Sequence, residues 1–119
     1  MKSSLTLVAA AVALCTAGLA QAQTAAPIKV GLMLPATGTF AALGTSIENG
    51  FKLYVHEQGG KLAGREIQYF KVDDESDPSK ATDNVNKLIK RDNVDVLVGT
   101  VQSGVALAMA KAAGTATRS

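Results

Sequence analysis

From Ile28 to Gly114 the chain alternates short apolar runs with stretches of helical period, and that alternation restricts it to very few folds. Ile28-Lys29-Val30-Gly31-Leu32-Met33-Leu34 is an apolar run with one early charge, bounded by Pro35, and reads as a buried strand. Ala36 to Gly44 is a small-residue loop whose only large side chains are Phe40 and Leu43. Thr45 or Ser46 is placed to cap a helix, and Glu48 suits its positive first turn. Ile47, Phe51, Tyr54, Val55 and Gln58 recur at three and four and predict its buried face, before Gly59-Gly60 ends it. Lys61 to Arg65 reads as a turn. Glu66–Asp73 then alternates as a strand, with Ile67 and Tyr69 on one face and Phe70 and Val72 on the other.

An acidic corner, Asp73-Asp74-Glu75-Ser76-Asp77, leads into Asp77-Pro78, the pattern of an N-cap followed by proline at the first helical position. Ala81, Val85, Leu88 and Ile89 give that helix a buried stripe, and Asp83 and Lys87 are spaced to pair on its wet face. Val94 to Gly99 is the third strand, almost wholly apolar as parallel strands tend to be. Ser103-Gly104 opens an alanine-rich helix over Val105 to Ala113, with Ala106, Ala110 and Ala113 small enough to pack closely on a sheet. The pattern stops after Gly114, in a short polar tail. Strands alternating with helices predict an α/β fold: a parallel sheet with right-handed crossovers and flanking helices.

The residues before this pattern form a three-part leader. Lys2 is the only charge before Lys29, an apolar run spans Leu5 to Leu19, and Ala20-Gln21-Ala22 offers a small-x-small cleavage site. The apolar run is shorter than the roughly 20 residues that cross a bilayer. Met1–Ala22 is therefore read as a signal peptide and 23–119 as the mature part. Cys15 lies inside the apolar run with Leu14 before it, which argues against a lipid anchor and leaves the mature part without cysteine. Removing Lys2 from twelve basic residues leaves eleven against ten acidic ones, a net charge near +1. The charges are interspersed, with no basic stripe to support a nucleic-acid partner. Fewer than a hundred mature residues suffice for one small core and not for two lobes of ordinary domain size.

Two loops of this topology, Pro35–Gly44 and Thr100–Gly104, leave strand ends on the same sheet edge, where open α/β sheets hold small ligands. Ser103 is the leading candidate there. Its hydroxyl and the N–H groups of a helix start converge on one point and suit a carboxylate, although serine is also a common helix cap. A phosphate loop is not supported: Thr45 follows Gly44 where a lysine is needed, and the Gly38–Gly44 spacing is one residue too long. Asp73, Glu75 and Asp77 alternate like calcium ligands, but Pro78 stands where such a loop needs glycine, so a solvated loop plus a cap is expected. His56 is the only histidine and has no mature cysteine to join it, and no Gly-x-Ser-x-Gly elbow occurs. Enzymatic chemistry, a metal and a cofactor are not expected.

The chain resembles the N-terminal part of the periplasmic substrate-binding proteins of branched-chain amino acid ABC transporters, the Leu/Ile/Val-binding type. The resemblance covers Ile28 to about Gly114. It rests on Ile28 to Pro35 with Thr37-Gly38, on Gly44, on Gly59-Gly60 with Gly64-Arg65, on Asp73-Asp74 with Asp77-Pro78, and on Val96 to Gly99 followed by Ser103. The run Thr37 to Tyr54 is most similar to a subset that takes up aromatic acids. The resemblance implies two α/β lobes that close over a ligand, of which this chain holds an incomplete N-terminal lobe. It implies that Ser103 holds a ligand carboxylate through its hydroxyl and backbone N–H. It implies that Leu43 occupies a first-loop position, often aromatic, that packs on the ligand side chain. Thr37, Phe40 and the backbone at Gln102 and Gly104 are implied neighbours. It further implies a periplasmic monomer that takes an amino acid or small carboxylate and, at full length, docks on an inner-membrane ABC permease. Family chains continue into a second lobe, so a truncated or frame-shifted product is expected here. The alternatives left open are a ligand-sensing domain, a small exported enzyme on a flavodoxin-like sheet, and a non-functional remnant.

Overall fold

The computed structural model describes residues 25–117. The expected leader, with Cys15 and its cleavage site, and the last two residues lie outside the described residues. Four strands form one sheet in the order β2-β3-β1-β4. The central strand β1 (Ile28–Leu34) runs parallel to β3 (Arg65–Asp73) and to β4 (Val96–Val98), and β2 (Lys61–Leu62) pairs antiparallel with β3. Helix α1 (Ala41–Glu57) covers one face. The other face carries α2 (Ala81–Asn86), entered through a 3-10 turn at Pro78–Lys80 and continued by a π turn at Lys87–Arg91, together with α3 (Ser103–Ala116).

The alternation of β1 builds both cores. Val30, Leu32 and Leu34 point toward α1 and meet Phe51, Ile67, Tyr69 and Val98. Met33 points the other way, into Ala81, Val85, Leu88, Val105 and Met109. A strand covered on both faces needs apolar residues at consecutive positions, which explains why this run scarcely alternates in polarity. Gly31 faces the second core, where a Cβ would lie 3.1 Å from both Leu88 and Leu97 side chains.

Several expectations need correction. Helix α1 starts at Ala41 with Phe40 as its uncapped N-terminal boundary, ahead of the expected cap at Thr45 or Ser46. Gly44 is inside the helix because the first turn lies against Pro35, where a Cβ would sit 2.0 Å from the carbonyl oxygen. Glu48, expected in the first turn, lies in the second and is buried, and Ile47, Tyr54 and Gln58, expected on the buried face, are exposed. Phe51 and Val55 face inward as expected, joined by Gly44 and by Glu48, for which Lys71 on β3 supplies an ion partner at 2.6 Å. The turn at Lys61 to Arg65 contains a short strand and closes through Ala63 and Gly64, both with positive φ, as two-residue hairpin turns require. Strand β4 is shorter than expected, and Val96 is 44% exposed because β4 is the edge strand among the described residues. Helix α3 extends beyond Val105 to Ala113 at both ends and buries Val105 and Met109, while Ala106 and Ala110 face outward. Asp83 and Lys87 do not close an ion pair.

Candidate ligand-binding edge

Because β1, β3 and β4 are parallel, Leu34, Asp73 and Val98 end on one edge of the sheet. Three loops leave that edge: 35–40, 74–77 and 99–102. The register places Leu34 beside Asp73, and the loops then hold one another.

The first loop is fixed by Asp73. Its Oδ1 accepts the backbone N–H of Ala36 at 2.8 Å, of Thr37 at 3.3 Å and of Glu75 at 2.8 Å, while Oδ2 accepts the Thr37 hydroxyl at 2.7 Å. Burial pushes the Asp73 carboxyl up, but these hydrogen bonds together outweigh it and hold the group below its ordinary value. Ser76 adds two further ties, accepting the Phe40 N–H at 3.2 Å and donating its hydroxyl to the Thr37 carbonyl at 3.3 Å. Gly38 has φ +83°, and a Cβ there would lie 2.5 Å from the Glu75 carbonyl oxygen, so only glycine lets the loop lie on the acidic corner.

The third loop is fixed by Asp74, which is fully buried. Its carboxylate accepts the Ser76 N–H at 2.9 Å and the Thr100 hydroxyl. A solvated corner was expected, and Asp74 overturns that for its own position. Asp77 caps the Pro78 turn as expected, accepting the Ser79 N–H at 2.9 Å. Its neighbour Glu75 pairs with Lys80 at 3.2 Å.

Helix α3 starts at the same edge. Gln102, extended, is its N-cap residue, and the first helical hydrogen bond runs from Ala106 N–H to the Gln102 carbonyl at 3.0 Å. The amides of Ser103, Gly104 and Val105 therefore precede the first intrahelical bond and make up the positive end of a 14-residue helix. Ser103 and Gly104 are exposed. The helix start packs on the Pro78 turn, since a Cβ on Gly104 would lie 3.1 Å from Pro78 Cγ. The Gln102 Oε1 atom is buried without a hydrogen-bond partner among the described residues.

The sequence-predicted residues thus fall into two groups on one edge. Thr37, Phe40 and Leu43 come from the first loop and first turn of α1, while Gln102, Ser103 and Gly104 come from the start of α3. Leu43 is 53% exposed and offers an apolar surface. Phe40 is half-buried and its N–H is already engaged by Ser76. Thr37 donates its hydroxyl proton to Asp73, so toward a carboxylate it has no hydroxyl proton to offer. Sequence reasoning missed Asp73, Asp74 and Ser76 as parts of this edge, and placed Thr100 on it without its bond to Asp74. The only signal was the run of short polar residues at a strand end. A cleft of about 450 Å3 lies between α2 and α3, lined by Thr82, Asn86, Lys90 and Lys111 among others. It follows the helix flanks rather than the strand ends, where this topology gathers its donors.

The sequence profile of the periplasmic binding protein family matches residues 27–118. The chain belongs to this family. Its α/β fold with a mostly parallel sheet is that of a partial lobe of such binding proteins. A solute-binding protein of an ABC transporter from R. palustris, in complex with benzoate, is 59% identical with a TM-score of 0.70, over 71% of this chain and 24% of that one. A second, from Rhodopseudomonas palustris BisB5 with 3,4-dihydroxybenzoic acid, is 36% identical with a TM-score of 0.70, over 75% of this chain and 24% of that one. A Leu/Ile/Val-binding protein of Rhizobium johnstonii is 35% identical over 84 residues, 69% of this chain and 23% of its own length. This binding-protein chain therefore spans about a quarter of the relatives it matches. The family is one of solute-binding proteins.

Proposed function

We propose that this chain forms one wall of a solute-binding cleft for a small carboxylate, of the benzoate type, in an ABC importer. The observation that carries the reading is the exposed first turn of α3 at the C-terminal ends of the strands, with Ser103 at its head. Three free amides, a hydroxyl and a helix dipole favour a carboxylate there. Leu43 supplies the apolar neighbour that an aromatic ring needs. The 59% identity with a benzoate-bound protein supports an aromatic ligand, and the match to a Leu/Ile/Val-binding protein supports a branched-chain amino acid as the second reading. The two carboxylates at the edge, Asp73 and Asp74, are engaged by N–H groups and hydroxyls, which leaves neither as a general base and supports binding without catalysis.

Residues 1–22 act in this reading as an export signal, and 23–119 as the first part of lobe 1, working in the periplasm as a monomer. An inner-membrane permease is the partner of a full-length protein. One wall makes only a few hydrogen bonds, each contributing about 1 kcal/mol net. That corresponds to a dissociation constant on the order of millimolar, against the roughly 8 kcal/mol of a micromolar complex. Calorimetric and NMR titration of residues 23–119 with benzoate and with leucine tests the reading. Weak benzoate binding that Ser103→Ala abolishes supports it. Preferential leucine binding selects the second reading, benzoate binding indifferent to Ser103→Ala contradicts the site, and binding of neither contradicts the ligand class.

A further inference from the structure

Successive side chains leave a strand on opposite sides. At the end of β3 that rule sends two adjacent carboxylates in different directions, Asp73 to the loop after β1 and Asp74 to the loop after β4. Each also accepts the N–H two residues further on, Glu75 for Asp73 and Ser76 for Asp74. Those two residues, neither of them glycine, hold φ of 52° and 58°, a left-handed pair that disfavours L side chains. Such backbone persists only when its surroundings over-determine it. Here the surroundings are the two carboxylates, and Asn84 braces the backbone between them and β3 by donating an Nδ2 N–H to the Asp73 main-chain carbonyl at 2.8 Å. Ser76, held in this conformation, also reaches Phe40 and Thr37.

We propose that Asp73 and Asp74 are paired positioning residues that set the two walls of the binding edge, Asp73 the Thr37–Leu43 wall and Asp74 chiefly the Thr100–Ser103 wall, with a second tie to the first wall through Ser76. The proposal rests on the ligand reading above and deepens it, because neither carboxylate needs to touch ligand. A fixed separation between the donors at Ser103 and the apolar surface at Leu43 would favour a ligand of one length, and loosening either wall should relax that preference. Preorganised loops also bind more tightly, because less ordering remains to be done on binding.

The test is native-state amide exchange on the 119-residue chain, followed by benzoate titration, for Asp73→Ala, Asp74→Asn and Thr100→Val. Asp73→Ala is expected to speed exchange at Ala36 and Thr37 at least tenfold, with the order parameters of 100–105 and exchange in β1 unchanged. Thr100→Val is expected to do the reverse, lowering the backbone 15N order parameters of 100–105, whose free amides at 103 to 105 give no exchange protection to follow, and sparing exchange at 36–40. It keeps Asp74 in place and so serves where Asp74→Asn fails to fold. Each variant is expected to weaken benzoate binding several-fold and to narrow the gap between benzoate and a longer probe such as phenylacetate. Equal loosening of β1 and of both loops would make the pair a support of the whole fold and overturn the proposal, as would loops that stay as ordered as in the wild type. Wild-type chain that ignores benzoate defeats the ligand reading alone, since the exchange pattern still decides the clamp. Loosened loops with unaltered benzoate binding would overturn the positioning role.

Discussion

The two flanks of β1 are built to different standards. On the β3 side, register pairs run the full length of β1, from Ile28 with Ile67 to Leu34 with Asp73. That side is reinforced by Glu48 between Lys52 and Lys71 at 2.7 and 2.6 Å, and by the edge-on contact of Phe51 with Tyr69 at 6.1 Å. On the β4 side, pairing covers only Val30 to Leu32, and Val96 is exposed. The first wall of the proposed binding edge therefore stands on the strong flank. The second wall, which carries Ser103, follows the weak one and relies on Asp74, Thr100 and the Pro78 turn. In the proposed cleft, this difference makes Thr37 to Leu43 the more firmly held wall.

Five experiments would break or sharpen that contrast. The largest effect is expected at the strand both flanks share: Met33→Ala empties a fully buried site and should cost about 2–5 kcal/mol in urea unfolding. A domain of this size has only about 5–14 kcal/mol in total, so partial unfolding at room temperature is a foreseeable result. On the strong flank, Glu48→Gln should cost about 1–2 kcal/mol at neutral pH, because hydrogen bonds to charged groups are lost at a largely buried side chain.

Acid should reveal the same group. Hydrogen bonds from Lys52 first and Lys71 second hold the Glu48 carboxyl below its ordinary value of 4.5. A carboxylate whose value is lowered by folding stabilises the fold fully above the unfolded value, and that contribution is lost as pH falls through the folded one. The melting temperature should therefore drop as pH is taken below about 4.5, and Glu48→Gln should flatten the drop. A profile unchanged by the substitution would remove Glu48 from the account of the strong flank.

The weak flank should respond less. Amide exchange at Leu97 and Val98 is expected to proceed by local opening, about tenfold or more faster than at Leu32 and Met33. Val96→Thr, on an exposed edge position, should stay within about 0.5 kcal/mol of the parent. A loss of several kcal/mol there would show that β4 is covered in solution, and the contrast between flanks would fail.

What could be read in the sequence follows from the range of the forces involved. Strand β1 was legible to the residue because a strand covered on both faces needs a contiguous apolar run ended by Pro35. The Asp77-Pro78 start was legible because capping is local chemistry. The rotation of α1 was legible only in part. Phe51 and Val55 lie where the helical period puts them, but Ile47 and Tyr54 give way to Gly44 and Glu48, and the ion partner of Glu48, Lys71, stands on another element. Likewise Ser103 stood out from its place between a strand and a helix, whereas Asp74 looked like solvated loop. Its burial depends on Thr100, a partner 26 residues away that no spacing announces.

The most direct test of the binding edge is to follow backbone amide shifts of labelled chain during benzoate titration. Shifts confined to Ser103 to Val105 and to Thr37 to Leu43, saturating together at about millimolar concentration and absent in Ser103→Ala, are what this structure predicts. Shifts centred instead on Asn86, Lys90 and Lys111, between α2 and α3, would contradict it.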